Sequence, residues 1–129
     1  MTGLLTFDSF TIGAPIGSER LVLSQDWVDA WYRIYRPGQP ADRITAGLLM
    51  AVMMRGYMKI VAPRPPGNIQ SRHCITFQND VAIGATVQIT LACTAKTLRK
   101  DRRWVTFGGS MTADDAAVLG VEMDFLWAA

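Results

Sequence analysis

One histidine and two cysteines in 129 residues leave little material for metal or redox chemistry. Zinc sites need clustered cysteine and histidine ligands at short, recurring spacings, and His73, Cys74 and Cys93 do not supply them, so no metal is expected. Charge of one sign is also lacking. Thirteen basic and eleven acidic residues leave a formal net charge of +2, scattered along the chain, which gives neither a basic arm for nucleic acid nor an acidic tail. No P-loop, glycine-rich dinucleotide motif or nucleophile elbow is present, so no nucleotide-type cofactor is expected. Long apolar runs are missing too. The most hydrophobic stretch, Asp42 to Val61, is interrupted at Arg55 and Lys59, leaving about 11 unbroken residues where a membrane span needs roughly 20. The N-terminus lacks the basic start, apolar core and small-residue cleavage site of a signal peptide, so a cytoplasmic protein with reduced cysteines is expected.

Half of the residues are hydrophobic, enough for one domain spanning residues 1–129 to bury a core without staples. The stretch from Asp42 to Val61 reads as a helix apolar on nearly every side, which has to be wrapped by other elements. Asp42 is placed to cap it, and Pro63, Pro65 and Pro66 stop it. Before it, Ala14-Pro-Ile-Gly17 carries turn chemistry and Glu19–Leu23 is a short strand candidate. Ser24 is an N-cap candidate for a first helix, with Asp26 in its first turn and Pro37-Gly38 as its end. Trp27, Trp31, Ile34 and Tyr35 fall at helical spacing there, either as a face packed on the core or as the lining of an acyl pocket.

After the prolines the period changes to two. Ile69–Phe77, Thr86–Leu98, Arg103–Met111 and Val118–Trp127 alternate as strands, with Val87, Ile89, Leu91, Cys93 and Ala95 on one face of the second. Gly108-Gly109 suggests a bulge or a close backbone approach, and residues 112–116 read as a turn. Arg99, Lys100, Arg102 and Arg103 around Asp101 form either a solvated hairpin tip or a patch for an anionic partner such as a nucleotide phosphate. Strands gathered after helices argue for an α+β fold: an antiparallel sheet of about five to six strands around a long central helix.

Four segments taken in order resemble the MaoC-like dehydratase family of the hot-dog fold, over nearly the whole chain. They are Phe10-Thr-Ile-Gly13, Leu23-Ser-Gln-Asp-Trp-Val-Asp-Ala-Trp31, Ile44-Thr-Ala-Gly-Leu-Leu-Met50, and Ile75–Val81 through Ile83-Gly-Ala-Thr86. The resemblance implies a sheet curled around the central helix, a homodimer or higher homo-oligomer joined edge to edge, and an acyl thioester of coenzyme A or acyl carrier protein as ligand. It also implies reversible hydration of an enoyl thioester by an Asp and a His on the loop before the central helix, acting as general base and acid. A backbone N–H at the start of that helix would polarise the thioester carbonyl.

The chain departs from this pattern where the chemistry sits. Only Arg36-Pro-Gly-Gln-Pro-Ala-Asp-Arg43 separates Tyr35 from Ile44; Gln39 stands for the motif's Asp, no His follows, and Ala46 stands where the helix-start His would be. The candidate binding residues are then Gly47, through its N–H or as a close-packing glycine, with Ala46, Trp31, Tyr35 and Met50; the methionines at 50, 53, 54 and 58 line a pocket or fill core. The candidate catalytic residues are Asp42, a carboxylate near the helix start that also suits a plain cap, and His73, the one imidazole, which also suits a packed strand position. Three functions compete: a thioester-binding protein of hydratase type, weakly active or non-catalytic; a thioesterase using Asp42; and a non-catalytic subunit of a catalytic hot-dog partner. If the chain is active, hydration or dehydration is expected ahead of hydrolysis.

Overall fold

The computed structural model describes residues 3–129. A 3-10 turn at Phe7–Ser9 precedes β1 (Pro15–Val22), α1 (Gln25–Tyr35), α2 (Ala46–Ile60), β2 (Ile69–Phe77), β3 (Thr86–Arg99), β4 (Arg102–Ala113) and β5 (Ala116–Trp127). The five strands form one antiparallel sheet in the order β1-β3-β4-β5-β2, which leaves β1 and β2 at the edges. None of the described helices is long and apolar enough to cross a membrane.

Alternation sets which face is buried. Val87, Ile89, Leu91 and Cys93 of β3, Val105, Phe107 and Met111 of β4, and Val121, Met123, Phe125 and Trp127 of β5 turn inward and form the core with α2. Ala95, expected on that inner face, is exposed instead: the register shifts between Cys93 and Ala95, and the extra residue, Thr94, reverses the alternation. Gly108 lies beside that bulge, where a Cβ would come within 2.8 Å of Thr94 Cγ2, and a Cβ on Gly109 would collide with the Thr90 carbonyl. Of the two alternatives expected at Gly108-Gly109, the close approach is found there, whereas the bulge lies on the neighbouring strand at Thr94. Phe10, Tyr57, Phe107, Phe125 and Trp127 form an aromatic cluster, with Phe10 edge-on to both Phe107 and Trp127 at centroid distances of 5.2 Å.

Several boundaries differ from the sequence expectation. Pro15, Ile16 and Gly17 belong to β1 rather than to a turn, because Pro is tolerated as the first residue of an edge strand. The turn expected over 112–116 shrinks to Asp114-Asp115, and the basic cluster tightens around Lys100-Asp101; both pairs have positive φ, as two-residue hairpins require. The cap of α2 is Thr45, whose hydroxyl accepts the Leu48 N–H at 3.3 Å, so Asp42 lies outside the helix and does not cap it. Ser24 does cap α1, accepting from Trp27 N–H at 3.3 Å.

The apolar faces are also narrower than expected. The fully buried residues of α1 are Val28 and Tyr32, while Trp27 and Trp31 are half-buried and Ile34 and Tyr35 are 70% and 62% exposed. The sheet does not wrap α2 on every side: Leu48, Leu49, Val52, Met53, Gly56 and Tyr57 are buried, but Met50 and Met58 are 45% and 56% exposed. Gly56 lets the helix approach β3, because a Cβ there would fall 2.6 Å from Ile89 Cδ1. At the other end Arg64 donates to the Met58 and Val61 carbonyls, both at 2.7 Å, and closes the helix where its dipole favours a cation.

Candidate functional site

The first turn of α2 offers backbone donors. Thr45 Oγ1 takes the Leu48 N–H and the Thr45 carbonyl takes that of Leu49, while the N–H groups of Ala46 and Gly47 have no hydrogen-bond partner among the described residues. Two clefts open at this helix end. One, of about 400 Å3, is lined by Ile44, Ala46, Leu49, Phe77, Gln78, Asn79 and Asp80. The other, of about 360 Å3, is lined by Arg36, Arg43, Ile44, Thr45, Ala46, Asp80 and Val81. Ile44, Ala46 and Asp80 belong to both.

The walls are held from outside the helix. Tyr32 donates its hydroxyl to the Arg43 carbonyl at 3.1 Å, and Gln25 Nε2 donates to that of Ala41 at 2.9 Å, pinning the interhelical loop to α1. On the opposite wall, the N–H of Gln78 donates to the Val118 carbonyl at 2.8 Å and Asn79 Nδ2 to that of Ala117 at 2.7 Å, which fixes the loop carrying Asp80. Arg36, Arg43, Asp42 and Asp80 form no ion pair among the described residues. Two guanidiniums and the helix N-terminus therefore make one side positive, and Asp80 sets a carboxylate against it.

Of the expected binding residues, Ala46 lines these two clefts, while Gly47, Trp31, Tyr35 and Met50 line neither. Trp31 lays its indole against Gly47, where a Cβ would fall 2.5 Å from Trp31 Cζ2, so close packing accounts for this glycine. Tyr35 packs on Trp31 with ring centroids 4.2 Å apart. Trp31 also lines a groove of about 300 Å3 between the helices with Trp27, Ala30, Ile34, Leu48, Ala51, Val52 and Arg55. Met50 is exposed one turn along from Ala46.

The two expected catalytic residues do not share a cleft. Asp42, exposed, lines one of about 260 Å3 with Tyr32, Arg36, Gln39, Pro40 and Arg43. His73 lies in mid-β2 opposite Met123, half-buried, with Nε2 inaccessible and unpartnered. Its burial disfavours the charged imidazolium and holds its pKa below the usual histidine value, so the ring is neutral at pH 7. Asp80 carries no sequence signal: it sits in the loop after β2, and only the sheet brings it to the helix start. Arg36 and Arg43, charges at the two ends of the interhelical loop, carry no sequence pattern that marks them either.

Neither a family model nor a curated protein sequence matches the chain. Solved structures do match it. A MaoC-like dehydratase from Rhodospirillum rubrum superposes with a TM-score of 0.81 at 17% identity, over 97% of this chain and 98% of that one. The chain has the hot-dog fold. Two other hot-dog structures, an R-hydratase from Pseudomonas aeruginosa and the fluoroacetyl-CoA thioesterase FlK, match at TM-scores of 0.76 and 0.69 and identities of 14% and 15%. The matches cover 96% and 91% of this chain and 86% and 87% of theirs. The central hot-dog helix is α2, and the five strands form the sheet that curls about it.

Proposed function

We propose that this hot-dog protein binds acyl thioesters of coenzyme A or acyl carrier protein, with the thioester carbonyl at the N–H groups of Ala46 and Gly47. The observation that carries the reading is that pair of unpartnered donors at a helix N-terminus, the first of them on Ala46, which lines two clefts. A carbonyl oxygen accepts two such bonds readily, and Arg36 and Arg43 suit an anionic carrier alongside. Hydratase chemistry of the usual kind lacks its pair of groups, since no histidine lies near α2 in the sequence. The site is read first as a binding site.

The reading includes a homodimer in the cytoplasm. It is supported by β2, an open edge strand with Ile69 and Phe77 exposed, and by the exposed Met50 and Met58 of α2. Cys74 is an exposed free thiol, which suits a reducing compartment.

Thermal shift against a series of acyl-CoA thioesters tests the ligand. Saturating ligand is expected to raise Tm in proportion to the logarithm of its concentration, and replacing Arg43 by Ala to weaken the effect. No shift with any chain length ends the reading. Light scattering tests the assembly, with a mass of twice 14.2 kDa expected.

A further inference from the structure

The groove between the two helices shares no lining residue with the clefts at the start of α2. Helical spacing builds it. Trp27, Ala30, Trp31 and Ile34 stand at i, i+3, i+4 and i+7 on one side of α1. Leu48, Ala51, Val52 and Arg55 repeat that spacing on the facing side of α2. Each stripe carries an alanine midway, and with two such short side chains the helices leave about 300 Å3 between them unfilled. Leu48 and Val52, 5% and 2% exposed, are its floor; Trp27 and Trp31 stay half-buried and Ile34 lies open to water.

The lining is apolar but for one group. Arg55, the last residue of its stripe, holds its guanidinium 5.2 Å from the ring centroid of Trp27, the first residue of the other. It forms no ion pair among the described residues, and no carboxylate lines the groove. A guanidinium keeps its charge at any working pH and takes a carboxylate through two parallel N–H···O bonds.

From this arrangement we propose that the groove binds a medium-chain fatty carboxylate, its chain lying between the helices and its carboxylate on Arg55. The proposal is independent of the thioester-binding reading. At roughly 30 Å3 per water-sized group, the groove holds about ten heavy atoms, the size of octanoate. A second copy docked stripe to stripe about a two-fold axis would instead set Arg55 against a surface with no acid to meet it.

Isothermal titration of the full-length chain with hexanoate, octanoate and decanoate, each below its micelle concentration, tests the proposal. Affinity is expected to rise about two- to fourfold per methylene up to octanoate and then to level off as the chain outgrows the groove. Arg55→Gln should weaken octanoate about two- to fivefold and leave octanol, the same chain without the charge, unchanged. Ala51→Phe fills the groove from an exposed position, so it should abolish octanoate binding while Tm stays near wild type. No saturable binding by wild type, equal affinity for all three chains, or binding that Ala51→Phe leaves intact overturns the proposal. So does octanoate binding that Arg55→Gln does not weaken. A self-associated wild type that binds no octanoate and that Ala51→Phe dissociates places a second copy in the groove and overturns it too. Loss of an acyl-CoA thermal shift in Ala51→Phe would join the groove to the thioester site and overturn it as a site of its own.

Discussion

Trp31 and Gly47 fit together because one has a flat ring and the other has no side chain: the indole fills the space that a Cβ at position 47 would need, 2.5 Å from Cζ2. Two effects oppose each other when Gly47 becomes Ala. Overpacking costs about 1–3 kcal/mol, and exchanging glycine for alanine in a helix returns about 1 kcal/mol. In the wild-type background we expect net destabilisation of about 1 kcal/mol, read as a lower denaturation midpoint. In a Trp31→Ala background the clash is gone and the same change should be neutral or stabilising. A double-mutant cycle measures this reversal of sign, and additive effects would show that the contact does not govern the choice of glycine.

The architecture was legible in the sequence because period-two alternation in β3, β4 and β5 is strict wherever one face is buried. What was not legible depended on contacts between distant segments. Asp42 and Thr45 are both good capping residues; starting at Asp42 would have put β-branched Ile44 and Thr45 in the first helical turn, and the chain starts the helix after them instead. On α1, apolar residues occur on several sides, so spacing alone picked the stripe of Trp27, Trp31, Ile34 and Tyr35 over the buried pair Val28 and Tyr32. The candidate site was half legible. Ala46, Gly47, Trp31 and Tyr35 are joined by helical spacing and one interhelical contact, whereas Asp80 reaches the helix start only through the position of β2 at the sheet edge.

The hairpin tips offer a cheap gain in stability. Lys100 and Asp101 have φ of 52° and 62°, a left-handed conformation that costs an L-residue roughly 1 kcal/mol and that Asn-Gly adopts readily. Replacing the pair by Lys100→Asn and Asp101→Gly should raise stability by about 0.5–1 kcal/mol, seen as an increase in Tm of a few degrees. A fall in Tm would mean that the charged tip makes a contact worth more than the turn.

Stability should fall at both ends of the pH range, for opposite reasons of sign. His73 has its pKa lowered in the folded state by burial, so below about 6.5 the unfolded chain takes up a proton that the folded one resists, and stability declines as pH drops. Tyr57, buried against Phe107 and Phe125, has its pKa pushed up to about 12, desolvation outweighing the nearby Arg64 charge. Above pH 10 the unfolded chain therefore loses a proton that the folded one keeps, and stability declines again up to about pH 12. Tm measured from pH 5 to 11 should show both slopes. His73→Gln is expected to reduce the acid slope alone, and Tyr57→Phe the alkaline slope alone.

Asn79 ties the loop after β2 to the start of β5. Its side-chain amide donates to the Ala117 carbonyl at 2.7 Å, and it is exposed, so loss of the bond opens that carbonyl to water rather than stranding it. Asn79→Ala should accordingly cost only about 0.5–1.5 kcal/mol of stability, the net worth of one hydrogen bond. The loop keeps its two backbone bonds, from the Gln78 and Asn79 N–H groups to the Val118 carbonyl, so the fold is expected to survive with a modestly lower denaturation midpoint. Asn79→Asp cannot donate the side-chain bond and should lose about as much as Ala. A loss well beyond one hydrogen bond would show that the side chain holds more of the loop than the Ala117 contact.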